Sequence, residues 1–254
     1  MPDNVEANGV SVPGGPKFRT DLDGDIHTQV NKIQLGNEDS FDGFVSASNP
    51  MPVNFPAAEF DAFNRLRISP PETLFDSKQI FDNQPLFWDE ATTGTGTSSV
   101  YSQDNARTRM SVSADTAGSV TRQTFMRFNY QPGKSQLVLM TGLLTAGGSG
   151  LTASMGLYDD DNGIFVESKD GTIQICRRTS TSGSAVDNAV TQANWSVDSF
   201  DGTGPSGKTL DPTKTQIFFI DLEWLGVGRV RCGWVIDGQI YVAHEFLNTN
   251  VLDS

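Results

Sequence analysis

The chain has little of what most enzymes and nucleic-acid or membrane proteins depend on. Only two cysteines and two histidines occur in 254 residues. His27 and His244 are far apart in sequence, so a zinc site is not expected. Cys176 and Cys232 fall at alternating strand positions, the pattern of two buried free thiols rather than a disulfide. No apolar run is long enough to cross a bilayer, and the first residues lack the basic-then-apolar order of a signal peptide. No membrane partner is therefore expected. Basic residues are scarce, 18 against 31 acidic ones, for a net charge of −13. Phosphate binding needs a basic surface, so nucleic acid is excluded as a partner. Hydrophobic content is only 37%, and no segment has the period of a long amphipathic helix. No internal repeat stands out.

What is there is the alternation of β-strands. In QIFFIDLEWLGVGRVRCGWVIDGQIYVAHEF (216–246) the residues Phe218, Ile220, Leu222 and Trp224 alternate with Asp221 and Glu223. Val230, Cys232, Trp234 and Ile236 alternate with Arg229 and Arg231, and Ile240, Val242, His244 and Phe246 continue the pattern. The segment predicts a three-stranded antiparallel meander with one oily face, burying Phe218, Ile220, Leu222, Val230, Cys232, Trp234, Val242 and Phe246. A three-residue Gly226-Val227-Gly228 loop would set Glu223 opposite Arg231 and Leu222 opposite Cys232. At the second turn a strict two-residue Asp237-Gly238 loop would pair inward with outward residues. A bulged Ile236-Asp237-Gly238 loop, pairing Trp234 with Ile240 and Cys232 with Val242, is expected instead.

Three regions are expected along the chain. Residues 1–58 carry six prolines and few large apolar side chains, and 27–35 is the only strand-like run. This is an extended docking arm without a core of its own, ordered by neighbouring subunits. Residues 59–99 form a connector packed on the domain, with extended structure at 66–68 and 73–81. Residues 100–254 hold the β domain, with strands near 100–101, 109–113, 120–129, 135–144, 153–158, 163–168, 172–178 and 185–190 before the meander. Turns are marked by Asp161-Asn162-Gly163, Asp170-Gly171 and Ser182-Gly183 among others. The fold class that follows is all-β, a two-sheet antiparallel sandwich of jelly-roll or concanavalin-like type with an extended N-terminal arm.

Each motif with a chemical reading has a plainer one beside it. GTGPSGKT (202–209) satisfies G-x-x-x-x-G-K-[ST], but Leu210-Asp211-Pro212 follows at once and a strand begins near Gln216. A phosphate loop must open a helix, and none fits, so an ordinary surface loop is expected. Asp221 and Glu223 lie two residues apart on one strand face, as paired glycosidase carboxylates can. An outer face paired with arginine is the expectation, because arginine lowers the pKa that a catalytic acid must have raised. Asp159-Asp160-Asp161-Asn162-Gly163 and Asp21-Leu22-Asp23-Gly24-Asp25 lack the full spacing of a Ca²⁺ loop and read as solvated turns. His244 has no Ser-His-Asp partner set and reads as packing at the core edge. Of four tryptophans, Trp224 and Trp234 belong to the oily face. Trp195, in an irregular stretch, is the best candidate for exposed stacking on a glycan. No catalytic residue, cofactor or metal site is expected.

DAFNRLRISPPETLFDSKQ (61–79) resembles the D-A-F-G-R-L-R-V-S-x-P-x-T-L-F-D-S-K signature of virion structural proteins from tailed bacteriophages, including cyanobacterial phages. YQPGKSQLVLMTG (130–142) and KTQIFFIDLEWLGVGRVRCGWVIDG (214–238) resemble later parts of that family. GDIHTQVNKIQLG (24–36) and VSASNPMPV (45–53) are similar to leader segments of phage tail and fibre proteins. Asn64 stands where the signature has glycine. Many members continue past the point matching Asp253-Ser254, so the resemblance implies a further C-terminal region in the family. It also implies a non-enzymatic component of the virion (tail, fibre or baseplate), whose arm binds other virion proteins and further copies of itself. A trimer is favoured because fibre-like proteins are often threefold. The alternative is a carbohydrate-binding or glycan-cleaving β-sandwich that contacts host-surface glycan.

Overall fold

The computed structural model describes residues 72–114, 117–131, 134–144, 148–223 and 228–251, together with the backbone of five short strands before residue 45. The chain divides into two units, Met1–Ala57 and Ala58–Ser254. In the first unit β1 (Asn4–Glu6), β2 (Lys17–Asp23) and β3 (Ile26–Gln29) make a three-stranded antiparallel sheet, and β4 (Gln34–Leu35) pairs with β5 (Gly43–Phe44). The expectation of a single strand-like run at 27–35 is corrected here. The longest strand is KFRTDLD, in which Phe18, Thr20 and Leu22 alternate with charged residues at the strand period. Asp21 and Asp23 thus lie on a strand of a hairpin in which Asp23 pairs with Ile26, while Asp25 lies outside the described residues. The rest of the 1–58 arm, and the 66–68 strand, lie outside the described residues.

The second unit is all-β. Its described part begins with 72–87, which forms no strand: 73–81, expected as strand or extended structure, has a bend at Leu74 and a turn at Gln79-Ile80. Pro85 and the Gln84 carbonyl, which accepts from the Phe87 and Trp88 N–H groups at 3.0 and 3.1 Å, close a turn there. β6 (Trp88–Thr93) then pairs with β9 (Ser119–Thr124), and β7 (Ser98–Ser102) with β8 (Arg107–Ser111), as two separate two-stranded sheets. Two larger sheets follow. One contains β11 (Thr152–Tyr158), β12 (Gly163–Lys169), β13 (Thr172–Thr179) and β14 (Val186–Thr191) in consecutive order. The other contains β10 (Gln136–Gly142), β15 (Gln216–Leu222), β16 (Val230–Ile236) and β17 (Gln239–Phe246), in that order. Every pairing is antiparallel. The two large sheets share one core in a sandwich-like arrangement. Ile164, Val166, Ile173 and Ile175 of the first meet Phe218, Ile220, Leu222, Val230, Cys232, Trp234 and Phe246 of the second.

Asp-Gly turns fix the hairpins. Asp170-Gly171 joins β12 to β13 with Lys169 paired to Thr172, and Asp237-Gly238 joins β16 to β17 with Ile236 paired to Gln239. All four turn residues have φ between 52° and 80°, the left-handed region that a two-residue turn between twisted strands requires. The bulged Ile236-Asp237-Gly238 loop is thereby corrected. The conflict of faces is real, but the bulge that resolves it lies farther along. Cys232 pairs with His244 while Gly233 pairs with Val242, which leaves Ala243 as the extra residue. Beyond it Tyr241 takes the oily face, Ile240 is exposed and Val242 is only half-buried. The other seven meander residues expected in the core are buried.

The first hairpin is also shifted. Asp221, not Glu223, pairs with Arg231, and Leu222 with Val230 rather than Cys232. The turn at 224–227 and Trp224 lie outside the described residues. The face carrying Phe219, Asp221 and Glu223 is not an open surface either, since all three are buried. β15 is thus covered on both faces, which one-sided alternation does not anticipate. Cys176 and Cys232 are free and buried, and burial pushes both thiols far above their ordinary pKa.

Candidate functional site

The connector between β14 and β15 shows how the motifs of this chain are used. The extra residue Ala243 has a carbonyl free of the ladder, and it accepts from the Val197 and Asp198 N–H groups at 3.0 and 3.1 Å. Beside it the Ser196 N–H donates to His244 Nδ1 (3.1 Å), and the Glu245 N–H donates to Ser196 Oγ (3.0 Å). Pinned there, the connector drops Trp195, Phe200 and Leu210 into the core. Trp195 is only 7% exposed. Its Nε1–H donates to the Val190 carbonyl at 3.0 Å and its ring lies 4.9 Å from that of Trp234. It presents no stacking platform, which corrects its assignment as a glycan contact. A buried tryptophan in an irregular segment carries no periodic signal that would have revealed this.

The GTGPSGKT loop lies in the same connector and holds an anion of its own. Asp198 is buried, and its Oδ1 accepts from the Phe200 N–H at 2.8 Å while Oδ2 accepts from the Ser206 N–H at 2.7 Å. Gly204 is packed so closely that a Cβ there would run into this carboxylate. The Asp198 side chain therefore takes backbone donors of the kind that a phosphate loop offers its ligand. Lys208 points elsewhere, to Asp237 at 3.2 Å and towards the Tyr241 ring at 5.9 Å. Phe200 keeps a left-handed φ of 50° with its ring fully buried, a strained geometry that needs such fixed neighbours.

The electrostatics of Asp198 give a measurable consequence. Burial opposes its ionisation, but the bonds from Phe200 and Ser206 outweigh this and hold the carboxyl below the usual Asp value. A depressed folded-state pKa means the stabilisation is present above the unfolded value of about 3.9 and is lost as pH falls through the folded value. Asp198→Ala should cost about 2–3 kcal/mol near neutral pH by leaving two turn donors without acceptors. Urea unfolding at pH 7 and pH 3 checks it: the gap between variant and wild type should shrink in acid.

The remaining candidates also make internal contacts. Asp221 accepts from Arg231 Nε at 3.2 Å and more closely from its Nη2. Glu223 is 1% exposed and Asp221 2%, so among the described residues neither carboxylate is presented on the surface to a sugar. In the 159–163 turn Asp159 Oδ1 accepts from the Asp161 and Asn162 N–H groups at 3.0 and 2.8 Å. The Asn162 bond is the chief reason its carboxyl is held below the ordinary range. Among the described residues no three His, Cys, Asp or Glu side chains converge to hold a metal. Burial, and then the Arg177 charge, lowers the His244 pKa. Arg177 itself is buried on Asn248 and over the Phe246 ring, and Asn248 donates to the Gly228 carbonyl at 2.6 Å. A cavity of about 20 Å³ between Leu144, Met155, Ile173, Leu210 and Trp234 has room for about one water.

One feature that alternation does not signal is the surface of 72–163. No described residue in that range is buried, whereas the core begins at Ile164. Leu74, Ile80, Phe81, Leu86, Phe87, Val100, Met110, Val112, Phe125 and Met126 are all exposed. Two-stranded sheets are marginal by themselves. Among the described residues there, Phe75 packs against Phe87, Trp88 and Phe128, with Arg122 paired to Glu90 and stacked 4.8 Å over Trp88, while Tyr130, Val138, Met140, Leu144, Met155 and Leu157 are partly buried against the core. No family model, curated protein or solved structure matches this chain.

Proposed function

We propose that the chain is a non-enzymatic structural component of a tailed-phage virion (tail, fibre or baseplate), working through contacts with other virion proteins and with copies of itself. The observation that carries this reading is the run from 72 to 163, in which no described residue is buried and fourteen large hydrophobic side chains are exposed. A chain that worked alone would leave that surface in water, whereas an assembly subunit covers it. The resemblance of 61–79 to virion structural proteins points the same way, and so does the use of Asp159, Asp198 and Asp221 for internal bonding. The finer fold reading is a two-sheet antiparallel sandwich of jelly-roll or concanavalin-like type. It is supported by the two four-stranded antiparallel sheets and the core residues they share.

The test is composition of the particle. Mass spectrometry of density-purified virions of a phage that encodes this chain should find it in several copies per particle, and gold-labelled antibody should bind at or near the tail. Particles that lack the protein would refute the reading.

A further inference from the structure

We infer that His244 is an acid-sensitive latch, and that protonating its ring releases the 196–198 segment of the connector from β17. The inference goes beyond the structural-component reading and does not rest on it. His244 is 8% exposed and sits on the core side of β17, opposite Cys232. Its Nδ1 accepts the Ser196 N–H at 3.1 Å. That bond needs a lone pair on Nδ1, so the ring is neutral with its proton on Nε2. An imidazolium carries hydrogen on both nitrogens and accepts nothing. Protonation therefore sets the Ser196 N–H against a second N–H, and the bond is lost.

The rest of the anchor lies within two residues of that bond. The Val197 and Asp198 N–H groups donate to the Ala243 carbonyl at 3.0 and 3.1 Å, and the Glu245 N–H donates to Ser196 Oγ at 3.0 Å. β17 is the last strand of its sheet, so the segment occupies an edge. Its release takes these partners from the Ala243 carbonyl and the Glu245 N–H. Edge backbone in that state is the kind that pairs with a further chain.

The surroundings make the closed ring hard to protonate. Arg177, on the core side of β13, lies 5.4 Å over the Phe246 ring, which is itself 4.6 Å from the His244 ring. Asn248, beyond β17, accepts from Arg177 and brings no charge. Cys232 of β16 is a buried thiol that burial keeps protonated. In the connector the Asp198 carboxylate is bonded to the Phe200 and Ser206 N–H groups. Asp221, Glu223, Arg231 and Glu245 alternate with the core residues and fall on the other face of their sheet. Arg231 meets Asp221 there, and Arg229 lies 3.5 Å from Glu245. Burial and then the Arg177 charge hold the closed ring below the ordinary His value. An opened ring regains that value, about 6.5. Protons bind the opened form first, so the closed form loses stability as pH falls below about 6.5.

Amide hydrogen exchange of the full-length protein between about pH 7.5 and about pH 5 tests this, with rates corrected for their intrinsic pH dependence. Protonation of an opened ring contributes at most about 30-fold over that range. Protection at Ser196, Val197, Asp198 and Glu245 should fall by at least about 5-fold, within that ceiling. His244→Asn keeps an acceptor near the Nδ1 position without a titrating ring, and should abolish the step. If that variant does not fold, the imidazole nitrogen shifts of the wild type decide, with His27→Gln assigning the other histidine. They should show an Nε2–H ring at neutral pH and a midpoint below about 6.5, with protection lost over the same range. Protection unchanged across the range, a step that persists in His244→Asn, an Nδ1–H ring, or a midpoint at or above about 6.5 would each overturn the proposal.

Discussion

Asp221→Ala is expected to destabilise the second unit by about 3–5 kcal/mol, the range for removing one partner of a buried ion pair. Asp221 and Arg231 face each other across β15 and β16, with side chains 3% and 15% exposed. Truncating the acid removes from the Arg231 guanidinium its carboxylate acceptor on β15, and the desolvation of a side chain 15% exposed is then less well compensated. Asp221→Asn should cost less, because the amide oxygen still accepts from Arg231. Chemical denaturation at neutral pH separates the cases. A loss below about 1 kcal/mol for the alanine variant would mean that the pair behaves as a surface salt bridge.

Gly233→Ala is the second large effect, with an expected cost of at least about 3 kcal/mol, the upper end for over-packing. Gly233 pairs with Val242 at the point where the register slips past Ala243. A Cβ there would run into the Tyr241 carbonyl oxygen and come within 2.8 Å of the Ala243 nitrogen and 2.9 Å of the Phe219 ring. Two of these neighbours are backbone, so no rotamer change relieves the clash. Because the bulge also frees the carbonyl that anchors Val197 and Asp198, the damage should spread to the connector. Amide hydrogen exchange at Val197, Asp198, Phe200 and Ser206 should accelerate together in this variant. Protection kept at those four amides would show that the bulge and the connector are independent.

The same bulge marks where sequence reasoning stops. Alternation in 216–246, the Asp170-Gly171 and Asp237-Gly238 turns and the strands of 136–191 are local features, and they are sufficient for an all-β chain with these strands in this order. The buried free thiols follow equally from strand periodicity. Local pattern also shows that an Asp-Gly turn and a one-sided β17 are incompatible without an extra residue. It does not say where that residue goes, because the position depends on which strand atoms the 196–198 connector must reach.

Tertiary structure decided the rest, and the reason is coverage. Period-two alternation reports one oily face, and cannot report that Phe219, Asp221 and Glu223 are enclosed on the other. Trp195 looks exposed in a polar stretch, but the core pocket that receives it is built by Val190, Phe200 and Trp234, which lie up to 39 positions away. GTGPSGKT matches a phosphate loop in one dimension, while in three its N–H groups are bonded within the connector, Ser206 to Asp198, Thr203 to Asp201 and Gly202 to the Lys208 carbonyl. Phe125 and Met126 fall within the strand expected at 120–129, and Leu86 and Phe87 in no expected element. Their exposure emerges only when the chain is folded and nothing among the described residues is found to cover them.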